Sequence, residues 1–497
     1  MIFTGRIVFY YDLLIQLIRS SFFNFMLNNF FLEQIKTNFP FEPTSEQELA
    51  LERISEFLFD RNNDSLFLLK GYAGTGKSSL IGAIVKTLNQ LQQKALLLAP
   101  TGRAAKVFAS YAGQNAFTIH KKIYRQKVFS NEPSGFVLAD NLHKHTLFIV
   151  DEASMISNDG LDSQSFGSGR LLDDLIHYVY SGEGCRLILL GDSAQLPPVS
   201  QSESPALDPD YLKGYHLDIR GTTLTQVVRQ AEQSGILMNA TRLREQLSQG
   251  LTDDYPTLEF RNYPDVEIVE GEELIEKLSE AYDRDGLEET IVISRSNKRA
   301  NIFNEGIRNR ILFREEELES GDLLMVAKNN YFWGKEDKSI DFIANGDILE
   351  VRRIRRSEEL YGFRFCNILV ELPDYDLQLE IKILPESLHT ETPSLPKETN
   401  DKLFYAVLED YKEIPLKKDR MAKMKEDPYY NAVQVKYAYA VTCHKAQGGQ
   451  WKNVFLDLSY VPKEYLGVDF YRWLYTAFTR ASKKIYLINP VKELLEP

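Results

Sequence analysis

The sequence predicts an α/β protein with two parallel-sheet units and a smaller β-rich unit inserted into the second. Short apolar runs without polar alternation recur along the chain, as expected for strands that are buried on both faces. Helix-like or loop sequence separates consecutive runs, which is typical of parallel strands joined by crossovers. Residues 321–421 differ, because apolar and polar residues alternate there between Pro and Asp turns.

The first unit is expected over residues 41–220. Residues 45–58 predict a helix, because Leu49, Ile54 and Leu58 are apolar and the first turn is rich in Ser and Glu. After this helix, apolar runs predict strands of one sheet at residues 65–70, 94–99, 146–150 and 186–190.

The second unit is expected over residues 221–320 and 432–497. It repeats the pattern of the first, with strands predicted at residues 290–293, 437–441, 453–458 and 484–488. Residues 321–431 are predicted to form the inserted β unit, which includes alternating stretches at 347–353 and 368–372. Within this insertion, residues 385–427 are charged and rich in Pro and Lys, so we expect a solvated extension there.

Residues 1–40 are expected to form a separate amphipathic appendage. The segment is rich in Phe, Ile and Leu, but Arg6, Asp12 and Arg19 interrupt it. No apolar run therefore approaches the ~20 residues that a membrane span needs. No small-residue cleavage site follows an apolar core, so a secretory signal is not expected.

Length and composition limit the classes of function. The chain of 497 residues is long enough for about three domains of ~150 residues. Its net charge of −13 disfavours nucleic-acid binding through a generally positive surface, so such a partner would need a localised groove. Cys185, Cys366 and Cys443 lie far apart, which predicts reduced thiols in the cytoplasm. The histidines do not cluster with them, so a structural zinc site is not expected.

Residues 71–78 (GYAGTGKS) predict a phosphate-binding loop between a strand and a helix. Glycines allow backbone N–H groups to surround phosphates, and the helix N-terminus adds partial positive charge. Lys77 is expected to reach the β- and γ-phosphates of ATP, and Ser78 to hold Mg²⁺. The strand–loop–helix context disfavours a chance glycine turn. The predicted nucleotide-binding residues of this segment are Gly71, Gly74, Thr75, Gly76, Lys77, Ser78 and Ser79.

Asp151 and Glu152 follow the apolar run at residues 146–150. Asp151 is expected to bind Mg²⁺ through the water shell of the ion, and Glu152 to orient and deprotonate the attacking water. An acidic strand end is common in α/β proteins, but its pairing with a phosphate loop favours catalysis. Gln195 follows the next strand and could sense the γ-phosphate, although the Gly-Asp pair before it is also compatible with a simple turn.

Charge on a transferring phosphoryl group calls for arginines from outside the phosphate loop. Arg229 and Arg480 are the candidates, each inside a short string of polar and apolar residues. Taken singly, an arginine is more often a surface residue than a catalytic one.

In their order along the chain, these segments resemble superfamily 1B helicases of the RecD/Dda-like branch. The resemblance runs from about residue 41 to the C-terminus. It implies two RecA-like P-loop domains, a small β-hairpin called the pin, and an inserted SH3-like β subdomain. The matching strings are PTSEQ (43–47), GYAGTGKS (71–78), APTGRAA (99–105), TIHK (118–121), DEAS (151–154), GDSAQLPPV (191–199), VRQ (228–230), HKAQG (444–448) and YTAFTRA (475–481).

The resemblance also implies roles for individual residues. Gln47 would read the adenine edge, and Arg229 and Arg480 would be arginine fingers from the second RecA-like domain. The residues implied to line the single-strand channel in the first domain are Thr101, Arg103, Thr118 and His120. Those implied to couple the channel to the nucleotide from the second domain are His444, Gln447 and Gly448. A structural role is the alternative for the two histidines.

The pin is expected at about residues 122–146, where apolar-bearing runs flank a Pro/Gly turn. Phe129 or Phe136 is our candidate for the residue that splits the duplex. Packing of these aromatic rings onto the domain is an equal alternative.

The function implied by the resemblance is an ATP- and Mg²⁺-dependent DNA helicase that translocates 5′→3′ on single-stranded DNA. Its expected partners are single-stranded DNA and tailed or forked duplex DNA, with no membrane, and it is expected to act as a monomer. Two alternatives remain open. One is a P-loop ATPase that remodels proteins or acts as a switch without unwinding. The other is an RNA helicase, because these residues do not discriminate the sugar.

Overall fold

The computed structural model describes residues 26–126, 136–160, 167–228, 234–334, 340 and 342–495. Two parallel sheets flanked by helices and a small closed barrel confirm the predicted α/β class with two RecA-like units and an inserted β subdomain. Within these residues, no helix is both long and apolar enough to cross a bilayer.

The first half of the chain forms one parallel sheet and a separate hairpin. Its strands are β1 (Ser65–Gly71), β2 (Lys94–Ala99), β3 (Ala116–Thr118), β4 (Tyr124–Gln126), β5 (Phe136–Leu138), β6 (Thr146–Val150), β7 (Arg186–Gly191) and β8 (Asp218–Leu224). The sheet has the order β3-β2-β6-β7-β1-β8 with parallel neighbours, and β4 pairs antiparallel with β5. β6 and β7 are buried throughout, which explains their unbroken apolar sequence.

Helices cover both faces of this sheet. They are α1 (residues 26–38), α2 (Ser45–Phe59), α3 (Lys77–Gln90), α4 (Gly102–Ala112), α5 (Ile119–Ile123), α6 (Leu171–Ser181) and α7 (Pro209–Lys213). α1 corrects the expectation of a separate appendage, because Phe31, Ile35 and Phe39 are buried in the core of the first unit. From residue 26 onward, the N-terminal segment is therefore part of this unit. The sheet also runs past residue 220, to the end of β8.

The second half forms a second parallel sheet and a barrel. Its strands are β9 (Val266–Val269), β10 (Thr290–Ser294), β11 (Leu323–Val326), β12 (Ile348–Leu360), β13 (Phe363–Leu372), β14 (Leu377–Leu384), β15 (Val433–Tyr437), β16 (Ala440–Thr442), β17 (Trp451–Asp457) and β18 (Ala481–Ile488). The sheet order is β16-β10-β17-β18-β9, and β11 to β15 close the barrel. The helices are α8 (Gly235–Gln249), α9 (Leu274–Asp285), α10 (Asn297–Arg310), α11 (Lys397–Asp410), α12 (Lys417–Lys425), α13 (Cys443–Ala446) and α14 (Val468–Phe478).

The apolar run predicted as one strand at residues 437–441 belongs to two strands. Tyr437 ends β15 and pairs with Leu324 in the barrel, whereas Ala440 begins β16 and pairs with Val292 in the second sheet. Both strands are buried, so the sequence stays apolar across the point where the chain leaves the barrel. Hydrophobicity reports burial, and it does not report which sheet a buried strand joins.

The expectation of a solvated extension at residues 385–427 is wrong. α11 and α12 lie between β14 and β15 and pack a small core of their own against the barrel. The buried residues of this core are Phe363, Phe365, Leu384, Leu395, Leu403, Val407, Met424 and Ala432. The sequence pattern missed it because many charged side chains surround a few well-spaced apolar ones.

Phe31→Ala tests the integration of α1 into the first unit. Phe31 is 1% exposed and its ring lies 5.5 Å from that of Phe59, so its removal should leave a cavity and destabilise the unit by about 3–5 kcal/mol. Urea unfolding monitored by far-UV circular dichroism measures the change in the free energy of unfolding. Phe30→Ala is the matched control, since Phe30 is 52% exposed. Equal effects of the two substitutions would contradict the packing of α1.

Candidate functional site

The phosphate-binding loop joins β1 to α3 at the carboxyl edge of the first sheet. Gly74 and Gly76 have φ values of 73° and 78°, in the left-handed region that favours glycine. The ammonium of Lys77 donates to the carbonyl of Tyr72 at 2.9 Å and to that of Gly71. Backbone N–H groups, a helix N-terminus and a basic side chain thus meet in one loop, which is the arrangement that binds phosphate.

This loop lies in a cleft between the two sheet units. Parallel strands end at the same edge of a sheet, so β1, β6 and β7 bring their carboxyl ends to the cleft together. The first unit contributes Gly74, Gly76, Lys77, Ser78, Asp151, Glu152, Asp192 and Gln195. The second contributes Ile236, Leu237, Gln450, Thr479, Arg480 and Ser482.

Asp151 and Glu152 follow β6 directly. The N–H of Asp151 donates to the carbonyl of Leu98 at 2.9 Å, and the N–H of Glu152 donates to the Asp151 carboxylate at 2.8 Å. The hydroxyl of Tyr111, from α4, donates to the other Asp151 oxygen. Burial, followed by the nearby charge of Glu152, raises the pKa of Asp151 to about 6.

Ser78 and Asp151 suit a magnesium ion. The hydroxyl of Tyr111 interacts with both side chains, so the two oxygen donors lie close together beside the loop. Mg²⁺ is usually held by one or two protein oxygens together with phosphates and water, and this pair matches that requirement.

Arg480 reaches the cleft from the second unit. Its side chain is 3% exposed, and Nη1 lies 3.6 Å from Oε1 of Glu152. Its Nε donates to the carbonyl of Thr476 at 3.2 Å, and Nη1 donates to that of Gly449 at 3.2 Å, so its own unit fixes its direction. Glu152 has a φ of 51°, an uncommon conformation for a residue other than glycine.

Arg229 lies outside the described residues. The structure does show that the chain just before it enters the cleft. Val228 lines the cleft, and its N–H donates to the carbonyl of Gly74 at 3.0 Å.

Two predicted amides have different surroundings. Gln195 is 8% exposed and lines the cleft, and within the described part of the chain its amide oxygen has no hydrogen-bond partner. Gln47 is 2% exposed and lies behind the loop. Its Nε2 donates to the carbonyl of Thr75 at 2.9 Å, and its oxygen accepts from the N–H of Thr44 at 2.9 Å. The capping box of α2 therefore braces the phosphate loop, and a Cβ at Gly76 would collide with the Gln47 amide.

The residues predicted to line the strand channel fall into two groups. In the first, Thr101 caps α4 by accepting from the N–H of Ala104 at 3.2 Å. Gly448, from the second unit, approaches so closely that a Cβ there would lie 2.8 Å from Cβ of Ala104. Arg103 stacks its guanidinium on the Trp451 ring at 4.0 Å, which places it at the contact between the two units.

The second group lies around α5 and α13. Thr118 caps α5 by accepting from the N–H of Lys121 at 3.2 Å. The His120 ring lies 5.7 Å from the Tyr124 ring, and desolvation lowers the pKa of His120 to about 4. His444 is exposed on α13, whereas Gln447 is 7% exposed at its end.

The hairpin β4–β5 is where the pin is predicted. Phe136, at the start of β5, is 7% exposed, and its ring lies 4.9 Å from Tyr331 and 5.9 Å from Phe342. Phe136 pairs with Gln126 at the loop end of β4 and β5, so these contacts attach that end of the paired strands to the segment that enters the barrel. Phe129 lies outside the described residues.

Known proteins match the chain in both of its halves. Residues 44–255 match an AAA domain, and residues 437–488 match a UvrD-like helicase C-terminal domain. The ATP-dependent DNA helicase dda of Enterobacteria phage T4 is 24% identical over 274 residues, which cover 52% of this chain and 56% of that protein. The ATP-dependent RecD2 DNA helicase of Deinococcus radiodurans is 31% identical over 181 residues, covering 35% of this chain and 21% of that protein. These matches in both halves of the chain support a superfamily 1B helicase.

Two further matches extend over most of the chain. A protein of Acanthamoeba polyphaga mimivirus is 22% identical over 508 residues, which cover 89% of this chain and 98% of that protein. A Pif1 helicase from Bacteroides, solved with ADP-AlF3 and ssDNA, covers 92% of this chain and 95% of that chain, at 16% identity and a TM-score of 0.45.

The cleft between the two units contains contacts that the sequence did not single out. The hydroxyl of Tyr475, on α14, donates to the Asp192 carboxylate at 2.6 Å and accepts from the N–H of Ala73 at 2.9 Å. Next to it, the hydroxyl of Thr476 accepts from the N–H of Leu196 at 2.9 Å. Tyr475 and Thr476 belong to the same string as Arg480 (475–481). Their closeness to Arg480 in the sequence was therefore the signal that could have identified them. Tyr111 offered no such signal, because only folding brings α4 to the end of β6.

Gln447 completes this contact between the units. Its Nε2 donates to the carbonyl of Leu196 at 2.7 Å, so Leu196 is held at both its N–H and its carbonyl by the second unit. Leu196 follows Gln195 directly. The position of Gln195 in the cleft is therefore fixed from the side of the second unit.

Tyr475→Phe tests the link between α14 and the phosphate loop. A lost hydrogen bond to a buried carboxylate costs about 1.5–3 kcal/mol, so we expect roughly a tenfold or larger fall in the kcat of ATP hydrolysis. Steady-state ATPase assays measure it. Tyr471→Phe is the control, since its hydroxyl contacts the Asp254 carbonyl away from the cleft. An unchanged kcat for Tyr475→Phe would show that the contact is structural only.

His120→Gln tests the low pKa of His120. The pKa of His120 falls from 6.5 to about 4 on folding. This shift stabilises the folded protein at pH values above 6.5, and the stabilisation is lost as the pH falls toward 4. The variant should therefore lose less thermal stability than the wild type between about pH 7 and about pH 5. Differential scanning fluorimetry checks this, with the exposed His177 replaced by Gln as the control. A parallel loss in both variants would contradict the shift.

Proposed function

We propose that this superfamily 1B chain is an ATP-dependent DNA helicase that moves 5′→3′ along single-stranded DNA and unwinds duplexes. The observation that carries the proposal is the meeting of Arg480 and Glu152 across the cleft, at 3.6 Å, beside the phosphate loop. A catalytic carboxylate and an arginine from different units make hydrolysis depend on how the two units are placed. The names of the helicase relatives support a DNA substrate, and the 5′→3′ polarity is what the resemblance to the RecD/Dda-like branch implies.

The residues of the first unit have separate roles in hydrolysis. Lys77 binds the β- and γ-phosphates, and Ser78 and Asp151 hold Mg²⁺, which neutralises charge on the phosphates when bound. Glu152 accepts the proton of the attacking water. Gln195 lines the cleft, and its amide, whose oxygen has no hydrogen-bond partner within the described residues, contacts the γ-phosphate or the water beside it.

The residues of the second unit add charge stabilisation and coupling. Arg480, together with Arg229, stabilises negative charge on the transferring phosphoryl group. After hydrolysis this attraction falls, and the second unit moves relative to the first. Gln447, Tyr475 and Thr476 connect that movement to the loop and to the segment after β7, because they bond directly to backbone or carboxylate groups there.

Movement of the units displaces the strand between them. Thr101 and Gly448 come from different units and meet at the start of α4, so a strand that crosses this point contacts both. We assign Thr101, Arg103, Thr118, His120 and His444 to the strand channel. His120 is neutral at physiological pH, so it offers no charge to the strand. We assign adenine binding to Gln47, whose amide also braces the phosphate loop through the carbonyl of Thr75.

Lys77→Ala should abolish ATP hydrolysis and unwinding. The control is Lys86→Ala, which replaces an exposed lysine of the same helix and should leave both activities intact.

Arg480→Ala should keep nucleotide binding but lower kcat by roughly 10³-fold or more, as loss of an arginine finger does. The assay is ATPase activity with and without single-stranded DNA or RNA, with unwinding of 5′- and 3′-tailed duplexes alongside. Stimulation by RNA alone, or ATPase that needs no strand, would overturn the proposal.

Deleting residues 130–135 should abolish unwinding and spare strand-stimulated ATPase, because the hairpin acts on the duplex and the cleft acts on ATP. Phe136 packs on Tyr331 and Phe342, so Phe136→Ala should reduce unwinding by loosening the attachment of the hairpin to the segment that enters the barrel. Gel-based unwinding and ATPase assays on the same preparations separate the two activities. Equal loss of both after the deletion would refute the role of the pin.

A further inference from the structure

A groove lies where the hairpin, the barrel and the α11–α12 insert meet. We name it the insert groove and define it by three lysines and three aromatic residues: Lys328, Lys397, Lys425, Phe332, Phe404 and Tyr430. Phe136 of β5 also lines it. None of the six defining residues takes part in the nucleotide cleft or the strand channel described above.

The insert groove is locally basic on an acidic protein. It contains three lysines and one carboxylate, Asp401, although the chain carries a net charge of −13. Among the described residues, none of the three lysines is held in an ion pair. α12 has five basic residues and one acidic residue, and Lys418 lies on the same face as Lys425, seven positions away. Positive charge therefore continues along α12, away from the groove.

Aromatic rings lie between these charges. The Phe404 and Tyr430 rings are 6.0 Å apart, and both side chains are only partly buried. Phe332 is also partly buried, on the barrel side of the groove. A basic groove interleaved with accessible aromatic faces fits a single-stranded nucleic acid, because phosphates meet the cations and bases stack on the rings.

The location of the groove decides which strand it suits. The translocated strand is assigned to the meeting point of Thr101 and Gly448, and none of the residues assigned to the strand channel lines the insert groove. The insert groove instead begins at Phe136, at the loop end of the paired strands β4 and β5, in the hairpin to which we assign duplex separation. A strand that leaves the hairpin along the insert groove is therefore the displaced strand, which the motor does not track.

We propose that the insert groove binds the displaced single strand of a DNA fork, with its phosphates on Lys328, Lys397 and Lys425. The proposal rests on the proposed helicase function. Holding the displaced strand opposes reannealing behind the hairpin. For a 5′→3′ motor, the displaced strand carries the 3′ tail of the fork.

The test compares a fork that has both tails with a duplex that has only the 5′ tail. The groove variant is Lys328→Ala, Lys397→Ala and Lys425→Ala together. The matched control removes the same charge from exposed lysines of the same insert that do not line the groove: Lys402→Ala, Lys412→Ala and Lys417→Ala. Binding is measured by fluorescence anisotropy over a range of salt concentrations.

The wild type and the control should bind the fork more tightly than the 5′-tailed duplex, and the groove variant should bind both equally. Each phosphate contact to a single strand contributes ~0.7 to the salt dependence of log K, so the groove variant should lower the slope for the fork by about 2. Strand-stimulated ATPase should stay unchanged in the groove variant. An unchanged fork preference, or a parallel loss of strand-stimulated ATPase, would overturn the assignment to the displaced strand.

Photocrosslinking gives a readout that does not depend on substitution. A fork with 5-iododeoxyuridine in the displaced tail should crosslink to peptides that contain Phe332, Phe404 or Tyr430, identified by mass spectrometry. Crosslinks confined to peptides of the strand channel would overturn the proposal. A wild type that hydrolyses ATP on single strands but shows no fork preference refutes the groove alone, whereas a wild type without strand-stimulated ATPase refutes the helicase function itself.

Discussion

The contact of α14 and the residues after it with the first sheet unit is the interaction on which the rest of the structure depends. Tyr475 joins the phosphate loop to Asp192, Thr476 holds the backbone at Leu196, and Arg480 meets Glu152. These contacts involve buried polar groups whose partners lie on the opposite unit. Because unpaired buried polar groups are costly, the two units have few relative positions that satisfy all of the contacts together. This constraint makes the chemistry of the cleft sensitive to the position of the units.

Charge is distributed so that an acidic protein can still offer sites for polyanions. Among the described residues few carboxylates are buried, whereas Lys77 and Arg480 line the cleft and three lysines line the insert groove. A localised basic groove can hold a strand through a few phosphates and stacked bases, without a positive surface elsewhere. The negative net charge therefore limits unspecific binding while leaving these sites open.

Several features of the site were predictable from residues alone. The loop from Gly71 to Ser78 needs left-handed glycines and a following helix, and both requirements are local, so the sequence pattern contained them. The pairing of Asp151 with this loop followed from parallel strands that end at one edge. Tyr111 and Tyr475 were not predicted as site residues, since each reaches its carboxylate partner across a long separation in sequence. The packing of α1 was also missed, because an amphipathic pattern does not identify the surface on which a helix packs. The core of the α11–α12 insert was missed because charged side chains surround its apolar residues.

The sequence by itself determined the class of fold, the phosphate loop, the acidic strand end and the order of the helicase strings. These features depend on local backbone requirements and on hydrophobic periodicity, which neighbouring residues specify. Only the tertiary structure decided that Arg480 faces Glu152, that Gln47 braces the loop, and that residues 437–441 divide between barrel and sheet. Each of these outcomes depends on which distant segments pack together. A periodic pattern records that a residue is buried, but the identity of its partner is fixed only by the packed core.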